Sequence, residues 1–191
     1  EYDIAGFIVG VVEKADVIDG RAIVAGDILI GLPSVGLHTN GYSLARRVFF
    51  DVAGWKPETF VDELGTTVGD ALLAPHPSYL PVVRPLIEHG LVKGLAHITG
   101  GGITENLPRI LPDGCAAEVD LQSWRVPAIF RLLEERGTIA REEMFRAFNM
   151  GVGLVIVCDV RHAEHVTSLA SAAAPFRLGA VVAGNRTVRY V

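Results

Sequence analysis

Two apolar runs, Ile28–Pro33 (ILIGLP) and Val152–Cys158 (VGLVIVC), decide most of what this chain can fold into. Neither carries a charge, and both are far shorter than the roughly 18 residues of a membrane-spanning helix. Such runs suit strands inside a sheet that is covered on both faces. The rest of the sequence supplies the cover. Leu44, Val48 and Val52, with Arg46 and Arg47 between them, predict a helix over Tyr42–Val52 stopped near Gly54. Further helices are expected over Pro81–His89, Thr104–Leu111, Pro127–Arg136, Glu142–Phe148 and Ala163–Ala173. Strands are expected over Ile4–Lys14, Asp27–Leu32, Gly94–Ile98, Ala116–Asp120 and Gly151–Asp159. A hairpin-type turn is read at Asp19-Gly20, and a closing hairpin joins Leu178–Ala183 to Thr187–Val191 over Gly184-Asn185. Between Trp55 and Pro85 five prolines predict an exposed connection with one short helix around Thr67–Leu73. Strands and helices alternate without strict βαβ order. The expected class is therefore α+β, a mixed sheet flanked by helices.

Composition narrows the function. The chain of 191 residues is 50% apolar and 20% charged, which excludes disorder and a minimal disulfide scaffold. Its net charge of −5 provides no general attraction for nucleic acid or an anionic membrane, so a bound phosphate must be held locally. Cys115 and Cys158, the only cysteines, each lie in an apolar stretch and read as buried thiols of a reducing cytoplasm. The chain opens at Glu1 and its only methionines are Met144 and Met150, which points to a piece of a longer protein. Its 21 glycines gather in a few loops, where function is to be sought.

The first of these loops is His97-Ile98-Thr99-Gly100-Gly101-Gly102-Ile103-Thr104-Glu105-Asn106, glycines set between a strand and a helix. Such a loop tolerates positive φ and lets backbone N–H groups approach an anion. It has neither the Lys-Ser/Thr of a P-loop nor the Gly spacing of a dinucleotide site. Phosphate or substrate binding and a tight structural turn both fit it. Taken singly, His97 and Glu105 read as a strand-end histidine and a helix-dipole residue. The second loop, His38-Thr39-Asn40-Gly41-Tyr42-Ser43, collects side chains able to hydrogen-bond ribose, amide or phosphate, although helix capping alone explains Asn40. Two such loops at strand ends of one sheet would form a single mouth. His162 and His165 read as a solvated helix face, and no metal site is expected.

Four ordered blocks resemble the phosphoribosylformylglycinamidine cyclo-ligase (aminoimidazole ribonucleotide synthetase, PurM) family across the whole chain. They are Tyr2–Phe7 with Val11–Lys14, Gly36–Leu44, His97–Arg109 and Phe148–Gly153. The resemblance implies that residues 1–14 are the last strand of an N-terminal ATP-binding domain and that residues 15–191 form the C-terminal α/β domain, one wall of the substrate cleft. It implies ATP-dependent closure of the imidazole ring of aminoimidazole ribonucleotide. ATP and Mg2+ would be bound mainly upstream, in a cytoplasmic homodimer joined through the N-terminal domain. It further implies His38 and His97 as catalytic, and Thr39, Asn40, Ser43, Thr99, Gly100, Gly101, Gly102, Glu105 and Asn106 as substrate- or phosphate-binding.

One segment departs from the pattern. Where the family reads Pro-Thr-Arg-Ile-Tyr-Val-Lys, this chain has Pro75-His76-Pro77-Ser78-Tyr79-Leu80-Pro81, keeping only the tyrosine and the first proline. Two other readings remain. One is a selenophosphate synthetase or thiamine-monophosphate kinase type of the same superfamily, which the Gly-Gly-Gly-Ile-Thr-Glu-Asn block disfavours. The other is a non-catalytic binding or dimerisation module.

Overall fold

The two apolar runs lie side by side in the middle of the sheet. In the computed structural model, which describes residues 6–191, the chain runs β1 (Ile28–Pro33), α1 (Tyr42–Arg46), β2 (Phe60–Val61), β3 (Thr66–Thr67), α2 (Val68–Leu72), α3 (Leu80–Glu88), β4 (Gly94–His97), α4 (Gly102–Asn106), β5 (Cys115–Val119), α5 (Ala128–Gly137), α6 (Arg141–Ala147), β6 (Val152–Cys158), α7 (Ala163–Leu169), β7 (Phe176–Ala183) and β8 (Val188–Tyr190). The main sheet has the order β4-β6-β1-β7-β5-β8. All its pairs are antiparallel except β5 with β8, so the sheet is mixed as the sequence predicts.

Period-2 alternation sends the two apolar runs to both faces. Ile28, Ile30 and Leu32 of β1, with Leu154, Ile156 and Cys158 of β6, pack against Val83 and Leu86 of α3 and Val166 of α7. Leu29, Val155 and Val157 point the other way and join Ala117, Val119, Ile103 and Leu107. Every residue of β6 is buried. A third apolar cluster, including Phe49, Phe130, Leu133, Met144 and Phe148, ties the helices α1, α5 and α6 together.

Several expectations change. β7 and β8 do not form a hairpin, because β5 runs between them: Ala117 lies opposite Val181 on one side and Val188 on the other. The Gly184 turn rounds the start of β5 and donates its N–H to the Gly114 carbonyl at 3.0 Å. Asp19-Gly20 is a turn without strands, held by Arg21 N–H on the Asp19 carboxylate at 3.1 Å. The strand expected over Ile4–Lys14 begins outside the described residues. From Gly6 to Glu13 no strand forms, with Phe7, Ile8, Val9 and Val11 exposed, and Lys14–Asp16 is a 3-10 turn. The proline-rich connection is less exposed than expected, since Val61, Val68 and Leu72 are buried and β2 pairs with β3. The predicted helix over Tyr42–Val52 changes pitch at Arg47, where the Ala53 N–H reaches back five residues to the Val48 carbonyl at 2.9 Å. The Thr104–Leu111 and Ala163–Ala173 helices each end in a 3-10 turn.

Two outcomes follow. Gly179 passes β5 so closely that a Cβ would stand 1.9 Å from the Glu118 carbonyl oxygen. Gly179→Ala should therefore cost about 1–3 kcal/mol, seen as a lower urea midpoint. Cys115 and Cys158 are both buried and unpaired, and burial, reinforced by the negative charges of Asp27 and Asp159, pushes the Cys158 thiol up to about 11. Neither thiol should react with an aromatic disulfide reagent at neutral pH until denaturant opens the fold, when two thiols per chain are titrated.

Candidate active site

β1 leaves the sheet at Pro33 and its loop folds back over the start of β6. Asn149, fully buried, holds that loop: its Oδ1 accepts from the Ser34 hydroxyl and from Gly151 N–H, both at 2.8 Å, and its Nδ2 donates to the Gly36 carbonyl at 3.0 Å. Next come His38 (φ +53) and Thr39 (φ +69), two consecutive non-glycine residues in the left-handed region. That conformation is costly for a β-branched residue and is typical of functional loops.

His38 is 2% exposed. Its Nε2 accepts the Val35 N–H at 2.9 Å, so the neutral ring carries its proton on Nδ1. That Nδ1 is buried without a partner. Burial, followed by the charges of His76 and His97, holds the ring down to about 4. Protonation would also set an Nε2–H against the Val35 N–H. At neutral pH His38 is thus a fixed neutral donor and does not exchange protons.

Gly153 of β6 forms the floor beneath. A Cβ there would stand 1.9 Å from Tyr79 Oη and 2.8 Å from His38 Cε1. Tyr79 donates to the Pro33 carbonyl at 2.8 Å, and burial pushes its phenol up to about 12, so it stays a protonated strut.

The second loop leaves β4 at His97, which is exposed and opposite Leu154 in the register. Gly101 (φ +96) and Gly102 (φ +57) turn it into α4, and a Cβ at Gly102 would lie 1.9 Å from the Phe145 carbonyl oxygen. Asn106, buried, fastens the turn: its Nδ2 donates to the Gly102 carbonyl at 2.8 Å and to that of Gly100 at 3.2 Å, and its Oδ1 accepts from the Thr99 hydroxyl at 3.3 Å. The two loops meet where Gly100 N–H donates to Asn40 Oδ1 at 3.0 Å. Asn40 Nδ2 in turn donates to the His38 carbonyl at 3.0 Å. Gly102 N–H is committed to the Thr99 carbonyl at 3.0 Å. The loop is therefore not an open ring of N–H groups, and Asn40 takes the place at Gly100 that an anion's oxygen would take.

The structure thus brings His38, Asn40, His97, Thr99 and Gly100–Gly102 together. It makes Asn106 a staple of the loop and sets the Glu105 side chain against Gly101. Ser43 and Thr39 are exposed beside the mouth, and Ser43 also lines a shallow concavity with Arg46, Arg47 and Asp51. His76, whose only signal was its departure from the family pattern, stands over the mouth with its ring centroid 4.0 Å from that of His38 and its Nε2 3.1 Å from His97 Nε2. Asn149 and Gly153 lie in the Phe148–Gly153 block of the family resemblance, which gave neither a role; in the structure one holds the site and the other floors it. The site is a shelf; cavities of about 390 and 690 Å3 lie elsewhere, beside Tyr190 and beside Val17.

His38 binds a proton in the unfolded chain below about 6.5 but in the folded chain only near 4. Between those values the unfolded state holds more protons, so stability falls as pH falls, by at most about 1.4 kcal/mol per pH unit for this ring. His38→Gln should flatten that slope in urea titrations at pH 7, 5.5 and 4.5. Slopes identical to wild type would show that His38 titrates normally.

Comparison with known proteins converges on one family. Residues 24–191 match the model for the AIR synthase related protein, C-terminal domain. The chain is 50% identical over 194 residues to a phosphoribosylformylglycinamidine cyclo-ligase of Bifidobacterium longum (strain DJO10A), covering 100% of this chain and 56% of that protein. It is 46% identical over 191 residues to the one of Alkaliphilus oremlandii, covering 98% and 56%. The chain therefore spans about half the length of the curated relatives it matches. Among solved structures, a thiamine-monophosphate kinase from Stenotrophomonas maltophilia matches with TM-score 0.60 and 17% identity over 94% of this chain and 54% of that one. T. maritima PurL complexed with FGAR matches with TM-score 0.54 and 14% identity over 93% and 27%. At those identities the two structures share the fold alone.

Proposed function

We infer that this chain, which belongs to the AIR synthase related protein C-terminal domain family, is the substrate-side domain of an ATP-dependent cyclo-ligase. The reaction closes the imidazole ring of aminoimidazole ribonucleotide from formylglycinamidine ribonucleotide. The observation that carries this reading is the junction of the two loops at Asn40 and Gly100, with a buried, unpaired His38 Nδ1–H on one side and an open His97 on the other. In that reaction ATP would pass its terminal phosphoryl group to the formyl oxygen, the nitrogen would bond to the formyl carbon, and the C–O bond would break with release of ADP and inorganic phosphate. The chain's own residues would then supply a donor to that oxygen and an acceptor for the proton shed by the nitrogen. His38, fixed neutral, suits the first role, and exposed His97 suits the second. Asn40, Thr39, Ser43 and the Thr99–Gly102 backbone would seat the ribonucleotide, with Asn40 yielding the Gly100 N–H to a substrate oxygen. Glu105 and Asn106 would set the loop's shape.

The described residues offer no ligand cluster for Mg2+: no group of three or more His, Cys, Asp or Glu among them can hold a metal ion. The mouth instead presents imidazoles, amides and hydroxyls. In this reading ATP and Mg2+ are held by the rest of a full-length protein, whose residues face the shelf and exclude water from it. Residues 1–14 would be the segment joining the two parts, residues 15–191 the substrate-side domain, and the whole a cytoplasmic homodimer.

The full-length protein should form aminoimidazole ribonucleotide from formylglycinamidine ribonucleotide and ATP, and the 191-residue chain alone should not. In the full-length protein His97→Ala and His38→Ala should each lower turnover by about 100-fold or more. A full-length protein unable to make the product would end the reading, and near-normal turnover in both variants would remove the two histidines from the chemistry.

A further inference from the structure

His76 is held in one tautomer by geometry alone. Its Nδ1 lies 2.7 Å from the Pro77 carbonyl oxygen, which can only accept, so Nδ1 carries the proton and the neutral ring has a bare Nε2. That nitrogen is 3.1 Å from His97 Nε2, so His97 donates and keeps its own bare nitrogen at Nδ1. No described residue hydrogen-bonds His97 Nδ1. The rings meet nearly edge on, with centroids 5.3 Å apart and planes at 74°. The backbone that presents His76 is stiff, because prolines precede and follow it and a residue before proline is driven to extended geometry.

We propose that His76 is the positioning residue for His97, the two imidazoles forming a proton-sharing pair that accepts a proton at the outward His97 Nδ1. Only the source of that proton, the attacking nitrogen, rests on the ring-closure reading; the pair itself does not. A proton arriving at Nδ1 makes His97 an imidazolium. Passage of its Nε2 proton to His76 Nε2 then leaves His97 neutral and His76 charged, with the new charge backed by the Pro77 carbonyl. The titratable groups packed against the pair are His38, locked neutral, and Tyr79, whose ring centroid is 5.7 Å from that of His76. Among the described residues no carboxylate, lysine or arginine forms an ion pair with any of the three imidazoles. The pair therefore has no counter-charge of its own, and a second proton is opposed by the first.

Ring 15N shifts of the 191-residue chain across pH 8 to 4 test this without any activity. The expected result is His76 protonated on Nδ1 at high pH and a His97 curve that follows two steps instead of one. In His76→Thr, which alters an exposed residue and should leave the amide spectrum otherwise intact, His97 should titrate in one step. In the full-length protein the acid limb of the turnover profile should move with the same substitution. Independent single steps for the two rings, an Nε2-protonated His76, or a His97 curve unchanged by His76→Thr would each overturn the proposal. A full-length protein inactive in ring closure that still shows the coupled steps would instead overturn the functional reading alone.

Discussion

Everything at the site hangs from the first residues of β6. Val152 pairs with Pro33, where β1 departs into the His38 loop, and Leu154 pairs with His97, where β4 departs into the glycine loop. Gly153, between them, is bare enough for His38 and Tyr79 to rest on its backbone. Because β6 is buried along its whole length and hydrogen-bonded on both edges, that floor cannot shift without opening the centre of the sheet. Two loops far apart in sequence thus take their positions from three consecutive residues.

Burial then divides three like side chains into different roles. His38 is enclosed, spends Nε2 on a backbone N–H and stays neutral. His97 and His76 are exposed, share a hydrogen bond between them and remain open to water on one side. Burial, followed by the neighbouring imidazoles, raises the cost of charging His38 and His97. The arrangement tolerates this because one ring never needs to charge.

The sequence showed the sheet class, the central strands and both loops, since apolar runs and glycine clusters are local signals. It did not show strand order, because nothing local in Leu178–Val191 reveals that β5 comes between the two strands of an apparent hairpin. Nor did it show that Asn106 and Asn149 act as staples, which depends on carbonyls brought near by the fold. His76 was visible only as a mismatch to a family pattern, and its meaning came from two distances, to His38 and to His97. The anion cradle expected at Thr99–Gly102 proved partly occupied by the chain's own Asn40, a contact spanning sixty positions.

The strand order has a consequence for how the chain reaches this state. In the six-stranded sheet no strand pairs with its immediate predecessor or successor in the chain. No hairpin can close first and template the others, and each ladder waits on loop closures over long stretches of chain. Assembly should be slow and all-or-none, with few stable halfway forms, and the shelf between the two loops should appear only when the last strands have docked.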